Sequence, residues 1–251
     1  MMANLPHLTA QALIMAGKVF SGDRAVAKSG DLLPENVELA VRGQDHPWVS
    51  RGGLKLDHAL RHFELSPSGL VCLDVGASTG GFSDVLLARG AAKIHAVDVG
   101  HGQLAWKLRN DPRILVHEKT NARYLTAAMV PDPIEALVCD ASFIGLSVVL
   151  PACLALCTPG AWAVALIKPQ FEAGRNAVGK GGVVKSAETH IQVLSYVNDF
   201  AASIDLHAVD FTYSPVKGPA GNIEFLAHLR RGSARVDFDF AALVAAANQN
   251  L

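Results

Sequence analysis

The chain has 251 residues, enough for one good-sized α/β domain and a small appendage, and half of them are apolar, which allows a real core. A formal net charge of -1 excludes a polyanion-binding surface spread over the whole molecule, so any nucleic-acid partner is met by a local patch. The four cysteines, Cys72, Cys139, Cys153 and Cys157, form no CxxC pair and no Cys/His spacing suited to zinc; they read as buried hydrophobes in a reducing cytoplasm, and no metal is expected.

No basic segment followed by an apolar core begins the chain, so no secretory signal is read. Thr9 to Gly17 reads as a capped helix closed by a glycine, Val19 to Val26 as a hairpin around a glycine-containing turn, and Val37 to Val41 as a further strand. A helix followed by small strands with the pattern LIxxGxVxxG resembles the RNA-binding module of the small-subunit ribosomal protein S-four, the alpha-L motif. That module opens on a further, arginine-bearing helix, and this chain starts after it. Residues 1–45 are therefore expected to be a truncated module and the start of a linker. Lys18, Arg24 and Arg42 are its candidate RNA contacts, offset by Asp23, Asp31, Glu35 and Glu38.

Residues 42–50 look like a linker that Pro47 stiffens and Trp48 can anchor. Arg51, a further candidate RNA contact, then opens a helix whose apolar positions Leu54, Leu56, Ala59, Leu60 and Phe63 leave Lys55 on another face. Val71 to Val75 is a short apolar run with one acid, Asp74, and reads as a buried parallel strand. Gly76, Ala77, Ser78, Thr79, Gly80, Gly81 and Phe82 follow as a tight turn into a helix, a loop that brings backbone close to a ligand. A second strand from Ala91 ends in Asp98, where nucleotide-binding α/β folds grip a ribose hydroxyl pair. A GxGxxG loop would favour a dinucleotide; the spelling DxGxxxGG, with Ser78 in the middle, is closer to an S-adenosylmethionine loop.

Ile114 to Val116 reads as a third strand, with Asn121 in the loop beyond it placed to meet an adenine. Ile134 to Cys139 delivers Asp140, and Ala161 to Ile167 delivers Lys168, both to the carboxyl edge where ligands bind in this architecture. The uncharged run from Phe143 to Ile167 is broken by Pro151 and by Thr158-Pro159-Gly160. A helix, a turn and a buried strand account for it better than a bilayer crossing, which needs roughly 20 uninterrupted helical residues. The glycine-rich stretch from Gly174 to Val184, carrying Lys180, is long enough for a lid over substrate. A helix over Ser186 to Ala202 is expected next, then an antiparallel hairpin of Leu206 to Tyr213 and Asn222 to Leu229, with Glu224 inside its last strand. A carboxylate among Ile223, Phe225 and Leu226 is costly unless paired. Val236 to Ala247 is a short amphipathic tail.

If the loop holds S-adenosylmethionine, the remaining question is which nucleophile is methylated. Exocyclic base nitrogens are served by an (N/D)PP(Y/F) turn after the fourth strand; here Asp140-Ala141-Ser142-Phe143 lacks the prolines. Carbon methylation of pyrimidines needs an accessible thiol, and strand alternation points Cys139 into the core. A site of lysines and acids suits a weakly acidic ribose 2′-hydroxyl: Lys168 beside Lys55 acts as base, with Asp140 and Glu224 orienting the ammonium groups.

The motifs Ser50–Leu56, Leu73–Phe82, Ala96–Gly100, Gln103–Arg109, Lys168–Glu172, Gly179–Val184 and Gly221–Leu226 together resemble the TlyA family, the so-called haemolysin A proteins, from about residue 46 to 230. Their core is similar to FtsJ-type ribose 2′-O-methyltransferases, whose Lys-Asp-Lys-Glu tetrad falls on Lys55, Asp140, Lys168 and Glu224. The resemblance implies a Rossmann-like class I methyltransferase sheet of seven strands over residues 46–235, followed by a C-terminal tail at 236–251. It also implies S-adenosylmethionine as donor and a cytidine 2′-hydroxyl in ribosomal RNA, free or within a ribosomal subunit, as acceptor. Two other readings remain: a membrane-damaging haemolysin, and a protein that binds S-adenosylmethionine and RNA with weak or partner-dependent activity.

Overall fold

The computed structural model describes residues 13–14, 18–22, 24–26, 28–34, 37–41, 46–174, 177–232 and 236–251. The chain divides into two units, residues 1–47 and 48–251. In the first, β1 (Val19–Ser21), β2 (Arg24–Ala25) and β3 (Leu39–Val41) form an antiparallel sheet in the order β2-β1-β3. Gly22, at φ 56°, supplies the left-handed residue of the β1–β2 turn. Leu13 and Ile14 are helical. The rest of the helix expected over 9–17, and Arg42, lie outside the described residues.

The second unit carries a seven-stranded sheet. Its helices and strands alternate as α1 (Gly52–His62), β4 (Val71–Val75), α2 (Gly81–Ala88), β5 (Lys93–Val97), α3 (Trp106–Arg109), β6 (Ile114–His117), β7 (Ile134–Cys139), α4 (Leu146–Leu154), β8 (Cys157–Ile167), α5 (Pro169–Glu172), α6 (Ala187–Ser203), β9 (Leu206–Tyr213), β10 (Phe225–Arg231) and α7 (Phe240–Asn250). The order is β6-β5-β4-β7-β8-β10-β9, with β10 antiparallel to both neighbours and the first five strands parallel. Strands that are apolar but for one acid each, such as Val71–Val75 and Ile134–Cys139, suit a sheet covered on both faces. The alternation of strands and helices supplies the crossovers that keep neighbours parallel. The chain order reverses between β4 and β7, and there the carboxyl ends open a crevice.

Two hydrophobic clusters cover the faces. One gathers Leu73, Leu137, Ile167, Leu150, Leu194 and Phe225; the other Leu56, Leu60, Phe82, Leu86, Ile94 and Leu166. Truncating any of these to Ala costs about 2–5 kcal/mol, so the sheet that positions the crevice is stiff.

The structure corrects the sequence reading in two places. The expected Thr158-Pro159-Gly160 turn lies inside β8, as a bulge: Cys157 pairs with Ile134 and Trp162 with Ala136, so the residues between are looped out, with Gly160 at φ 84°. Glu224 stands just before β10 rather than within it, because pairing with β8 begins at Phe225 opposite Ile167. The apolar run at 143–167 resolves into α4, with Pro151 inside it, and β8. No helix among the described residues is long and apolar enough to cross a membrane.

Candidate active site

Strand register brings the candidate catalytic residues together. Val75 pairs with Cys139, so Gly76 and Asp140 leave the sheet side by side, and the Asp140 N–H donates to the Val75 carbonyl at 2.8 Å. Phe225 pairs with Ile167, which sets Glu224 and Lys168 at the same edge. Lys55 arrives from α1, which packs Leu56, Ala59 and Leu60 into the core.

Two ion pairs result. Lys55 Nζ donates to Glu224 Oε2 at 2.5 Å, with both side chains buried. Lys168 Nζ lies 2.5 Å from Asp140 Oδ1, and donates to the Asp140 carbonyl at 3.2 Å and to Ser142 Oγ at 2.7 Å. Gly218 lets its turn close over Glu224: a Cβ there would stand 2.5 Å from Oε1. Glu172, at the end of α5, ties that helix to the start of α4, since its Oε1 accepts the Leu146 N–H at 2.8 Å; burial pushes its carboxyl above the usual range.

All four residues line a cleft of about 970 Å³. Single small-molecule sites run from roughly 300 to 1,000 Å³, so there is room for a cofactor and part of an acceptor. Gly76, Ala77, Ser78, Thr79, Gly81, Phe82, Asp98 and Asn121 also line it. Both oxygens of Asp98 are engaged by the loop itself, accepting the Ser78 N–H at 2.8 Å and the Gly100 N–H at 2.6 Å. Each retains a lone pair for a ribose hydroxyl. Asn121 accepts the Arg123 N–H and so fixes the turn at 122–124.

Asp74 and Gly80 stand outside the lining. Asp74 is fully buried, accepts from Ser83 Oγ at 2.6 Å, and its carboxyl is pushed up to about 7, first by burial and then by the Asp140 and Asp98 charges. Gly80 starts α2 at φ 96° and is packed closely by Leu104 and Leu108.

Of the candidate RNA contacts, Arg51 lines the cleft and donates to the Lys217 carbonyl at 3.2 Å. Lys180 is exposed on the glycine-rich loop, and Lys18 and Arg24 belong to the first unit. The sequence reading assigns no role to Ser142, Phe143, Gln170, Phe171, Lys217 or Asn222, all of which line the cleft or touch its lysine. Five of these, all but Lys217, stand inside motifs that carry the family resemblance or in the turn after β7. Phe143 is 90% exposed at φ 64°, an uncommon backbone conformation for a bulky residue, and its ring lies 5.0 Å from that of Phe171. Gln170 Oε1 is buried in the wall without a hydrogen-bond partner among the described residues, an acceptor that a bound ligand can satisfy.

Cys139 is buried with its thiol pushed up to about 12 by desolvation, which removes it as a nucleophile.

The donor set fits S-adenosylmethionine: a glycine-rich loop after the first parallel strand, a carboxylate at the tip of the second, and a roomy crevice beyond them. When bound, that cofactor supplies an electrophilic methyl group. A family model described as FtsJ-like methyltransferase matches residues 48–231. The 16S/23S rRNA (cytidine-2′-O)-methyltransferase TlyA of Mycobacterium tuberculosis is 44% identical over 90% of this chain and 85% of its own. Hemolysin A of Brachyspira hyodysenteriae is 40% identical over 87% of this chain and 91% of its own. A solved structure from Streptococcus thermophilus, described as a hemolysin, superposes with a TM-score of 0.81 at 39% identity, covering 98% of this chain and 91% of that one. Glycine loop, strand order and matched span agree, and the chain belongs to the FtsJ-like methyltransferase family, with S-adenosylmethionine as its methyl donor.

Proposed function

We propose that the protein methylates the 2′-hydroxyl of a cytidine in ribosomal RNA. The observation that carries this reading is the pairing of Lys168 with Asp140 and of Lys55 with Glu224 on the wall of one cleft, with a buried, inert thiol beside them.

Lys168, entering the step as the neutral amine, takes the hydroxyl proton as the oxygen bonds to the methyl carbon and the methyl–sulfur bond breaks, and its nitrogen leaves the step as an ammonium beside Asp140. Asp140 and Ser142 fix the lysine nitrogen so that it meets the hydroxyl in one position. Lys55, held by Glu224, places a positive charge where the oxygen becomes anionic. Phe143 and Phe171 give the cleft mouth an aromatic face on which an unstacked base can lie, and base stacking of this kind contributes about 1–3 kcal/mol. Arg51, Lys217 and Lys180 supply local positive charge for backbone phosphates on a chain whose net charge is only -1. The rRNA acceptor of the Mycobacterium relative supports this choice of substrate, and such an acceptor sets the reaction in the cytoplasm.

Lys168→Ala tests the assignment. Turnover on ribosomal RNA should fall by about 10²–10⁴ while cofactor affinity, read by calorimetric titration, stays unchanged. Full turnover in the variant contradicts the role of Lys168.

A further inference from the structure

Asn222 is 1% exposed, and both ends of its amide are spent on a distant part of the chain. Its Oδ1 accepts the Val184 N–H at 2.9 Å, and its Nδ2 donates to the Gly182 carbonyl at 2.9 Å. Val184 is itself buried, and its carbonyl lies 3.2 Å from His190 Nε2 on α6. Beyond this anchor the loop closes on itself: the Gly182 N–H donates to the Gly179 carbonyl at 3.1 Å, and the Gly179 N–H to the Val183 carbonyl at 3.0 Å. Lys180 stands exposed on its outer side.

The other partner of the tie is the turn that delivers Glu224. There the Gly218 N–H donates to the Asn222 carbonyl at 2.9 Å, and the Gly221 N–H to the Gly218 carbonyl at 2.8 Å. Gly182, Lys217, Ala220 and Asn222 all line the cleft with Glu224. Gly181 and Gly182 have positive φ and open space where a Cβ would stand. The loop at that point has no side-chain packing of its own, so its placement falls to hydrogen bonds. A buried amide is costly unless both its groups are satisfied, which makes one arrangement strongly preferred.

We propose that Asn222 is a positioning residue for the acceptor: it latches the Gly179–Val184 loop onto the Glu224 turn. The two loops then form one wall of the cleft on the acceptor side, with Lys180 and Lys217 presented to the RNA backbone. The proposal rests on RNA as the acceptor. Asn222 touches neither reacting atom; it acts through the loop it holds.

Two variants test it. Asn222→Ala removes both the acceptor for the Val184 N–H and the donor to the Gly182 carbonyl. Gly181→Ala strains the loop at an exposed left-handed residue outside the cleft lining and leaves the buried amide in place. In both, hydrogen exchange at the Val184 amide should quicken, and the KM for RNA should rise about tenfold, the scale of one lost hydrogen bond. Cofactor affinity and kcat at saturating RNA should stay near the wild-type values. Unchanged Val184 exchange in Asn222→Ala overturns the latch. Quickened exchange with an unchanged KM for RNA in both folded variants overturns its role toward the acceptor. A wild-type protein that transfers no methyl group to RNA overturns the acceptor reading itself, a result separate from either variant's ratio to wild type.

Discussion

Lys55 Nζ and Glu224 Oε2 stand 2.5 Å apart although 169 residues separate them in the chain, and both side chains are shut away from water. Such a pair adds little net stability over an apolar one, yet removing either partner strands the other as a buried charge. Glu224→Ala should therefore lower stability by about 3–5 kcal/mol in denaturant unfolding. The double variant Lys55→Met, Glu224→Leu should regain most of that stability while methyl transfer stays lost. Recovered activity in the stable double variant would contradict a functional role for the pair.

Gly76 is placed at φ 81°, and a Cβ on it would meet the Asp140 carbonyl oxygen, a backbone atom, at 2.7 Å. Gly76→Ala has to move either the loop or the strand end that carries Asp140. A titration of S-adenosylmethionine should show binding weakened by tenfold or more, on the scale of about 1–3 kcal/mol for a strained backbone position. Wild-type affinity would show that the approach of the two strand ends is unimportant.

Asp74 sets a pH dependence with a definite sign. Burial raises its carboxyl from 3.8 to about 7 in the folded protein, so between those values the native state holds a proton that the unfolded chain has released. Stability from this group is complete below about pH 4 and falls as pH rises toward 7, by up to about 4 kcal/mol. The difference between wild type and Asp74→Asn in urea unfolding, followed from pH 4 to 7, should change in that direction. A difference independent of pH contradicts the assignment.

Cys139 stands next to Asp140, but its thiol is buried and pushed up to about 12. Cys139→Ala should retain methyl transfer, with only a modest loss of thermal stability. Loss of turnover in a well-folded Cys139→Ala protein would revive a covalent mechanism through sulfur.

Much of the architecture was legible because it is written locally. Val71–Val75 is a strand at the boundaries its apolar run predicts, and the glycines after it mark the ligand loop. Ser186 caps α6 where the reading begins that helix. What was hard to read depends on distant partners. Lys55 looks like a solvated charge on α1 until Glu224 arrives from the far end of the chain to bury it; the family resemblance points to the pair where the local pattern cannot. The Thr158-Pro159-Gly160 segment has the chemistry of a turn, yet flanking pairing of Cys157 and Trp162 with β7 holds it inside a strand as a bulge. Asn222 is silent as sequence because its meaning lies in two backbone groups of a loop 38 and 40 residues earlier. Phe143 escapes notice because an apolar residue beside apolar neighbours reads as core, whereas its φ of 64° turns the ring outward.

The central claim is methyl transfer to a ribose oxygen of RNA, and the position of a labelled methyl group decides it. Ribosomal RNA incubated with the protein and methyl-labelled S-adenosylmethionine, then hydrolysed in alkali, should carry the label in alkali-resistant dinucleotides whose 5′ residue is 2′-O-methylcytidine, because a methylated 2′-oxygen can no longer attack the adjacent phosphate. Label found on a base carbon or nitrogen, or no label on RNA at all, would contradict it.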